Sequence, residues 1–321
     1  MPYQPAGNQV GTPTLREQAT VYYDRRGLDK LMAMLRFVQV CEPRPLPKSA
    51  GRTIQFYRFT VATANTNPAV DGVVGTPIPL DSQTVSATVE EYNDFTSSSQ
   101  LLEDTDIAQF VDEMVDFMSY RAALTNDTLA RVEIDSNSSA QVSTIGAFAS
   151  VSDLRANVSR LKALNIMPSM DQEWTTIVHP YHEYDICSDN TVGGFIDIMK
   201  YAQPGNFLNG EIGKVAGCRL VSTTNVGTSG SAPTTLYNMY IFGKGGVGAV
   251  DLSGSGPSQN ISDPKNQRFQ TFVTKGGPSA VDPAGTIGTY VAYRYVTAYK
   301  TLYTSNDQYR FRIVQADVQL V

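Results

Sequence analysis

The chain is short of the residues that carry most protein chemistry. Its 321 positions include two histidines, one tryptophan and three cysteines, and only 17% are charged. Cys41, Cys187 and Cys218 are odd in number and far apart, which excludes a disulfide framework and a Cys-x-x-Cys metal pattern and points to a reducing compartment. No window approaches 18 consecutive apolar residues, since even Ile241 to Val250 is broken by Lys244 and four glycines. A membrane-spanning helix is therefore not expected. Residues 1 to 15 hold no charge and no apolar core, so no secretory signal is expected either. The Asn-x-Ser/Thr triplets at Asn126, Asn137, Asn157 and Asn260 then read as chance matches. Positive charge is also scarce: 25 Lys and Arg stand against 31 Asp and Glu, a net of -6 with a pI near 5.0. That balance argues against a dedicated nucleic-acid binder.

What remains is a globular composition. Hydrophobic residues make up 41% of the chain, enough for one large or two ordinary domains, and global disorder is excluded. The opening reads as an arm. Pro2, Pro5, Gly7, Gly11 and Pro13 keep its start extended, and Leu28, Leu31, Met32, Leu35 and Val38 repeat at helical spacing before a stiff Pro-rich joint, Cys41-Glu-Pro-Arg-Pro-Leu-Pro47. Residues 1 to 52 carry eight basic side chains, among them Arg16, Arg25, Arg26 and Lys30, against four acidic ones. The remainder of the chain is correspondingly acidic.

Two strand-like runs follow, Thr53 to Thr63 and Thr84 to Tyr92, separated by a Pro/Gly-rich tip. This pattern predicts a long two-stranded ribbon that needs a surface to lie on. From Asp104 the period changes to 3.6, with Ile107, Phe110, Val111, Met114, Phe117, Met118 and Leu124 on one stripe. Thr105 is the expected cap, and the helix is expected to end near Val132. Glu90, Glu91, Asp94, Glu103, Asp104, Asp106, Asp112, Glu113 and Asp116 form an acidic strip uninterrupted by Lys or Arg. Residues 136 to 150 are small and polar, as at a domain boundary. Ser152 is the expected cap of a second helix carrying Leu154, Val158, Leu161 and Leu164. Mixed elements then follow: a strand over Glu173 to Val178, short helices after Pro180 and over Phe195 to Ala202, and strands over Val215 to Thr224 and Thr235 to Phe242. A final β pair is expected from Tyr290 to Leu302 and Gln308 to Val318.

The candidates for chemistry are weak. His179-Pro-Tyr-His-Glu183, with Asp185 and Cys187 nearby, gathers both histidines but lacks the second His, one turn on, that a zinc-protease helix requires. A strand-to-helix corner is the better reading. Phe242-Gly-Lys-Gly-Gly-Val-Gly248 has the glycine spacing of a phosphate loop, yet Ala249-Val-Asp-Leu-Ser-Gly254 cannot continue as a helix. It reads as a tight strand connection in which glycine takes positive φ. There is no Gly-x-Ser-x-Gly nucleophile elbow. No catalytic, cofactor or metal residue is assigned, and no enzyme activity is expected.

Taken in order, arm, ribbon, long acidic helix, α/β insertion and returning strands resemble a tailed-bacteriophage major capsid protein. The segment Gly210-Glu-Ile-Gly-Lys-Val-Ala-Gly-Cys-Arg-Leu-Val-Ser222 is similar to a glycine-containing stretch of that family's axial domain. Tyr240-Ile-Phe-Gly-Lys-Gly-Gly-Val-Gly-Ala-Val250 follows it, and within the family the coat proteins of short-tailed phages look most similar. The resemblance implies an α+β tailed-phage/herpesvirus coat fold: an N-terminal arm (1–50), an extended β loop (51–100), a peripheral domain with a long spine helix (101–149 and 251–321) and an α/β axial domain (150–250). It further implies hexamers and pentamers of one chain closing an icosahedral shell around double-stranded DNA, read without sequence specificity. Cement, portal and scaffolding proteins are the implied partners. The implied location is the virion, assembled in the host cytoplasm. Interface roles are expected for Arg16, Arg25, Arg26 and Lys30 and for Glu103, Asp104, Asp106, Asp112, Glu113 and Asp116. Some members join a loop lysine to an asparagine of a neighbour; residues 49 to 161 contain no lysine, so that link is not expected here. An encapsulin-like compartment shell shares the implied fold, and a β-rich hydrolase or carbohydrate-binding protein is the reading from a different class.

Overall fold

The computed structural model describes residues 36–46, 51–59, 64–66, 68, 71–72, 82–105, 110–136, 141–144, 149–168, 173–190, 194, 214–229, 235–252, 269–278, 282–302 and 311–317. In chain order a 3-10 turn (Val38–Val40) precedes β1 (Glu42–Leu46), β2 (Thr53–Phe59), β3 (Ser82–Thr88) and β4 (Glu90–Ser99). Helices α1 (Gln100–Thr105) and α2 (Phe110–Ser136) follow, then β5 (Gln141–Thr144), α3 (Val151–Ala163), β6 (Trp174–Val178) and α4 (Pro180–Ser188). The chain continues through β7 (Lys214–Val215), β8 (Cys218–Ser222), β9 (Thr228–Ser229), β10 (Leu236–Phe242) and β11 (Val247–Leu252). Last come β12 (Phe269–Lys275), β13 (Ile287–Thr301) and β14 (Phe311–Asp317).

Among the described residues these strands form three sheets. A five-stranded sheet joins β1, β11, β13, β12 and β4, a seven-stranded sheet runs β5-β14-β10-β6-β8-β7 with β9 on β10, and β2 pairs with β3 alone. The fifteen-residue β13 organises the first sheet, pairing antiparallel with β4, β12 and β11. Its alternate residues Val291, Tyr293 and Tyr295 are buried against Met114, Val115, Met118, Ala122 and Ala123 of α2, the period-2 and period-3.6 patterns meeting face to face. On the far side the ribbon lays Phe56 and Ala87, with Ile54 and Val85, onto Leu46, Val250, Leu302, Val296 and Ala298. A second core lies between α3, α4 and the seven-stranded sheet, around Trp174, Leu154, Leu161, Ile186, Met239 and Ile241. Between them a junction core gathers Phe37, Ala130, Ile134, Ile177, Tyr240, Phe242, Val247 and Tyr299.

The structure corrects several sequence expectations. Cys41-Glu-Pro-Arg-Pro-Leu-Pro47 is not a mere joint: Glu42 to Leu46 pairs parallel with Gly248 to Leu252 at the sheet edge. Pro43 and Pro45 are two residues apart, so both missing donors point to the same, unpaired side. The strand read over Thr84 to Tyr92 is two strands. Val89, whose N–H donates to the Arg52 carbonyl at 2.8 Å, lies between the ribbon and the first sheet. Thr105 does not cap the long helix; it ends α1 and its hydroxyl donates back to the Leu101 carbonyl at 2.7 Å. Ser150, not Ser152, caps α3, in a reciprocal box with Asp153. The strand expected over Val215 to Thr224 is β7 and β8, split by a turn in which Ala216 and Gly217 both have positive φ. The final β pair is not a hairpin, because β13 lies in the first sheet and β14 in the second, between β5 and β10. The helix expected over Leu28 to Val38 and that over Phe195 to Ala202 fall largely or wholly outside the described residues; the described end of the first is a 3-10 turn.

Candidate assembly surface

No concentrated reactive centre emerges from the described residues. His179 ends β6 and caps α4, its Nδ1 accepting from the Tyr181 N–H at 3.2 Å, with Pro180 in the first turn. Its ring stacks on Tyr237 at 4.3 Å, and burial pushes its pKa down. This is the strand-to-helix corner that the sequence suggested. Burial raises the thiols of Cys187 and Cys218, which disfavours the reactive thiolate. Among the described residues no three His, Cys, Asp or Glu side chains are grouped to hold a metal ion, and no helix is long and apolar enough to cross a membrane. The glycine segment of residues 243 to 248 joins β10 to β11, strand to strand. Only Gly245 takes the positive φ expected of such a turn, at 70°. Gly248 serves packing instead, because a Cβ there would lie 2.7 Å from the Phe56 ring.

The informative surfaces lie on and around α2. Two carboxylates of the acidic strip find cationic partners in three dimensions. Arg121 of α2 pairs with Asp94 of β4 at 2.6 Å, and Arg294 of β13 pairs with Glu91 at 2.7 Å, holding that carboxyl below its ordinary range. Glu103 accepts from the Ser98 hydroxyl and covers Gly288, where a Cβ would lie 2.5 Å from its carboxyl carbon. Asp104 accepts from the Gln100 side chain at 2.8 Å. Asp112, Glu113 and Asp116 occupy the first turns of α2, the end favoured by the helix dipole. Asp106, Arg16, Arg25, Arg26 and Lys30 lie outside the described residues. The fold thus brings Glu103, Asp104, Asp112, Glu113 and Asp116 into two neighbouring helical segments and gives Asp94 and Glu91 cationic partners from distant sequence.

Sequence periodicity assigned Phe117 and Leu124 to the core, but they face solvent. Phe117 is 56% exposed, Tyr120 49% and Leu124 44%. The buried face of α2 instead runs through Met114, Met118, Ala122, Ala123, Asn126, Asp127, Ala130 and Ile134. A second open apolar row crosses the outer face of the first sheet. Phe95, 68% exposed, and Phe272, 44% exposed, flank Ala292 on three strands in register.

Sequence reasoning also missed a polar spine inside α2. Asp127 accepts the backbone N–H groups of Arg36 and Phe37 at 2.9 and 2.7 Å and the Asn225 amide at 3.2 Å. Burial outweighs these donors and pushes its pKa up. Asp135 accepts from the Tyr240 hydroxyl at 2.8 Å and the Asn238 amide at 3.2 Å, while Tyr240 accepts from the Gly227 N–H at 2.9 Å. Asn126 accepts from Tyr299 at 2.6 Å, and Glu133 pairs with Lys300 at 3.0 Å. The helix is therefore hydrogen-bonded to the backbone at Arg36 and Phe37, to the second sheet and to β13 at once. The signal was present: Asn126 and Asp127 interrupt an otherwise apolar face, and buried polar groups at such positions demand specific partners.

No family model and no curated protein matches this sequence. Solved structures do. The capsid of the cyanophage P-SCSP1u superposes with a TM-score of 0.61 at 14% identity, covering 88% of each chain. The capsid of Ralstonia phage GP4 gives 0.63 at 11% identity over 87% of each. The acid-stable capsid of Helicobacter pylori bacteriophage KHP30 gives 0.61 at 10%, over 88% of this chain and 90% of that one. The α+β coat fold expected from the resemblance is the fold found, and this chain is built on the architecture of phage capsid proteins.

Proposed function

We propose that the chain is the major coat protein of a tailed phage of the short-tailed type. In this reading it forms hexamers and pentamers that close an icosahedral shell around double-stranded DNA. The observation that carries the reading is the extent of the structural match, 88% of this chain against 88% of a phage capsid chain. The ribbon supports it: among the described residues β2 and β3 pair only with each other and bury one face of their base, and a lone ribbon of this kind gains stability from neighbours. Many such weak contacts, repeated around closed symmetry, hold a shell together.

In this reading residues 1–50 are the arm, 51–100 the extended loop, 101–149 with 251–321 the peripheral domain, and 150–250 the axial domain. The core around Trp174 draws its buried members from residues 149 to 241, while β5 and β14, from the segments read as peripheral, complete the sheet that this core lies on. An acidic body beside packed DNA limits adhesion between wall and genome. Arg16, Arg25, Arg26 and Lys30 are the exception, and they meet either DNA or the carboxylates from Glu103 to Asp116. The chain acts as a structural protein without catalysis, resides in the virion after assembly in the host cytoplasm, and takes portal, scaffolding or cement proteins as partners.

Negative-stain imaging of the untagged protein, expressed alone and with its genomic neighbours, tests this. Uniform shells or capsomer rings are expected, with DNA and not an enzyme cargo inside particles from infected cells. Reversing all four arm cations to Glu is expected to weaken closure. A persistent 35.0 kDa monomer under both conditions would refute the shell, and normal particles with normal salt resistance from the reversed variant would remove the arm's electrostatic role.

A further inference from the structure

The corner between β6 and α4 holds a histidine in a bond that only its neutral form can make. His179 is the N-cap of α4, extended at φ -76° and ψ 149°, and its Nδ1 accepts the Tyr181 N–H at 3.2 Å while its carbonyl accepts the Glu183 N–H at 3.1 Å. An accepting ring nitrogen carries no hydrogen, so the neutral imidazole holds its proton on Nε2. The ring also stacks on Tyr237 of β10 at 4.3 Å and meets Tyr181 edge-on at 4.6 Å, and the two tyrosines meet each other at 5.5 Å. One side chain thus closes the first turn of α4 and ties that turn to β10.

A second proton can enter the ring only at Nδ1. It turns the acceptor into a donor that faces the Tyr181 N–H, and it sets a positive charge at the end of α4 where the helix dipole is already positive. Burial works in the same direction and lowers the pKa. The groups that could compete are few. β6, β9 and β10 carry no acid or base other than Tyr237 and Tyr240. In α4 they are His182, Glu183, Asp185 and Cys187, besides Tyr181 and Tyr184, and β14 sets Asp317 opposite Leu236 and Arg312 opposite Ile241. An aromatic face attracts a cation, so the charged ring can stay on Tyr237. It cannot keep the cap.

We propose that His179 is a proton-operated latch: neutral, it caps α4 and holds that helix to Tyr237, and protonated, it releases the first turn of α4. The fold favours the neutral ring. The stability it contributes is therefore fully present above the ordinary imidazole value of about 6.5 and is lost as the pH falls from there towards the lower folded value. The inference requires nothing of the shell and holds for the unassembled chain.

Hydrogen exchange of the full-length chain at pH 7.5 and pH 5.0, corrected for the intrinsic pH dependence of exchange, tests the latch against His179→Asn and His179→Asp. Both replacements cap helices and neither changes charge over that interval. In the parent, protection of the amides of α4 is expected to fall about tenfold between the two conditions while α2 and α3 keep theirs; in both variants it is expected to stay level. Level protection in the parent, or an equal fall in the variants, which would assign the titration to another group such as His182, overturns the proposal. So does a fall spread evenly over α2 and α3. The imidazole 15N spectrum of the parent needs no substitution. At pH 7.5 His179 is expected in the Nε2–H form, and finding both histidines in the Nδ1–H form would remove the cap and the latch with it.

Discussion

At the scale of single residues, Asp127 shows how a fold can use a carboxylate that its surroundings disfavour. Its pKa is raised because burial outweighs the N–H groups of Arg36 and Phe37 and the Asn225 amide. A raised carboxyl favours the protonated form in the folded state. The associated stability is therefore fully present below the unfolded value of about 3.9 and is lost as pH rises through the folded value. Asn at this position is neutral throughout, keeps one acceptor and turns an amide N–H towards a donor. Asp127→Asn is expected to lose stability at every pH, about 1–3 kcal/mol for the mismatched donor, with the deficit largest in acid. Urea unfolding of both proteins at pH 4 and pH 7 measures this; a deficit that grows towards neutral pH would contradict the assignment.

At the scale of elements, the ribbon is the part least able to stand alone. Its base depends on Phe56, buried over Gly248 with the Arg44 guanidinium 5.0 Å from the ring centre. Gly248→Ala forces the ring away, and Phe56→Ala removes a side chain whose full burial is worth about 3–5 kcal/mol. Either change is expected to speed hydrogen exchange across Thr53–Phe59 and Ser82–Thr88 while α3 and β6 keep their protection. Uniform acceleration over the whole chain would show that the ribbon is not a separate unit. The ribbon was legible in sequence, because Ile54 and Phe56 alternate with polar residues and one face must be covered. The role of Gly248 was not, since its purpose is a close approach across more than 190 positions' worth of folded chain that no local pattern records. The long helix was legible in kind but not in orientation. Phe117 and Leu124 satisfy a 3.6 period as well as Met114 and Met118 do, and apolarity alone cannot say which side meets Tyr293 and Tyr295. The joint around Pro43 and Pro45 hid a strand for a related reason: proline argues against a strand except at an edge, and which strands are edges is a property of the sheet.

At the scale of the whole molecule, residues 49 to 161 contain no lysine, so the ribbon offers no amine for a covalent link to a neighbour. In the proposed coat role, purified mature particles are expected to run as single chains on denaturing gels without reducing agent, and a ladder of higher masses would contradict this. In the proposed coat role cohesion falls to non-covalent contact, to which the row through Phe95, Ala292 and Phe272 and the stripe through Phe117, Tyr120 and Leu124 contribute exposed apolar side chains. The order of the second sheet has a consequence in time. Its strand β14 sits between β5 and β10, yet it is the last of that sheet to be synthesised. Until β14 has emerged from the ribosome the strands made earlier wait with an open gap, and β5 lacks the one strand it pairs with among the described residues. Translation itself thereby delays the finished body, so that a nascent chain on a crowded polysome stays incomplete until its own synthesis has supplied the missing strand.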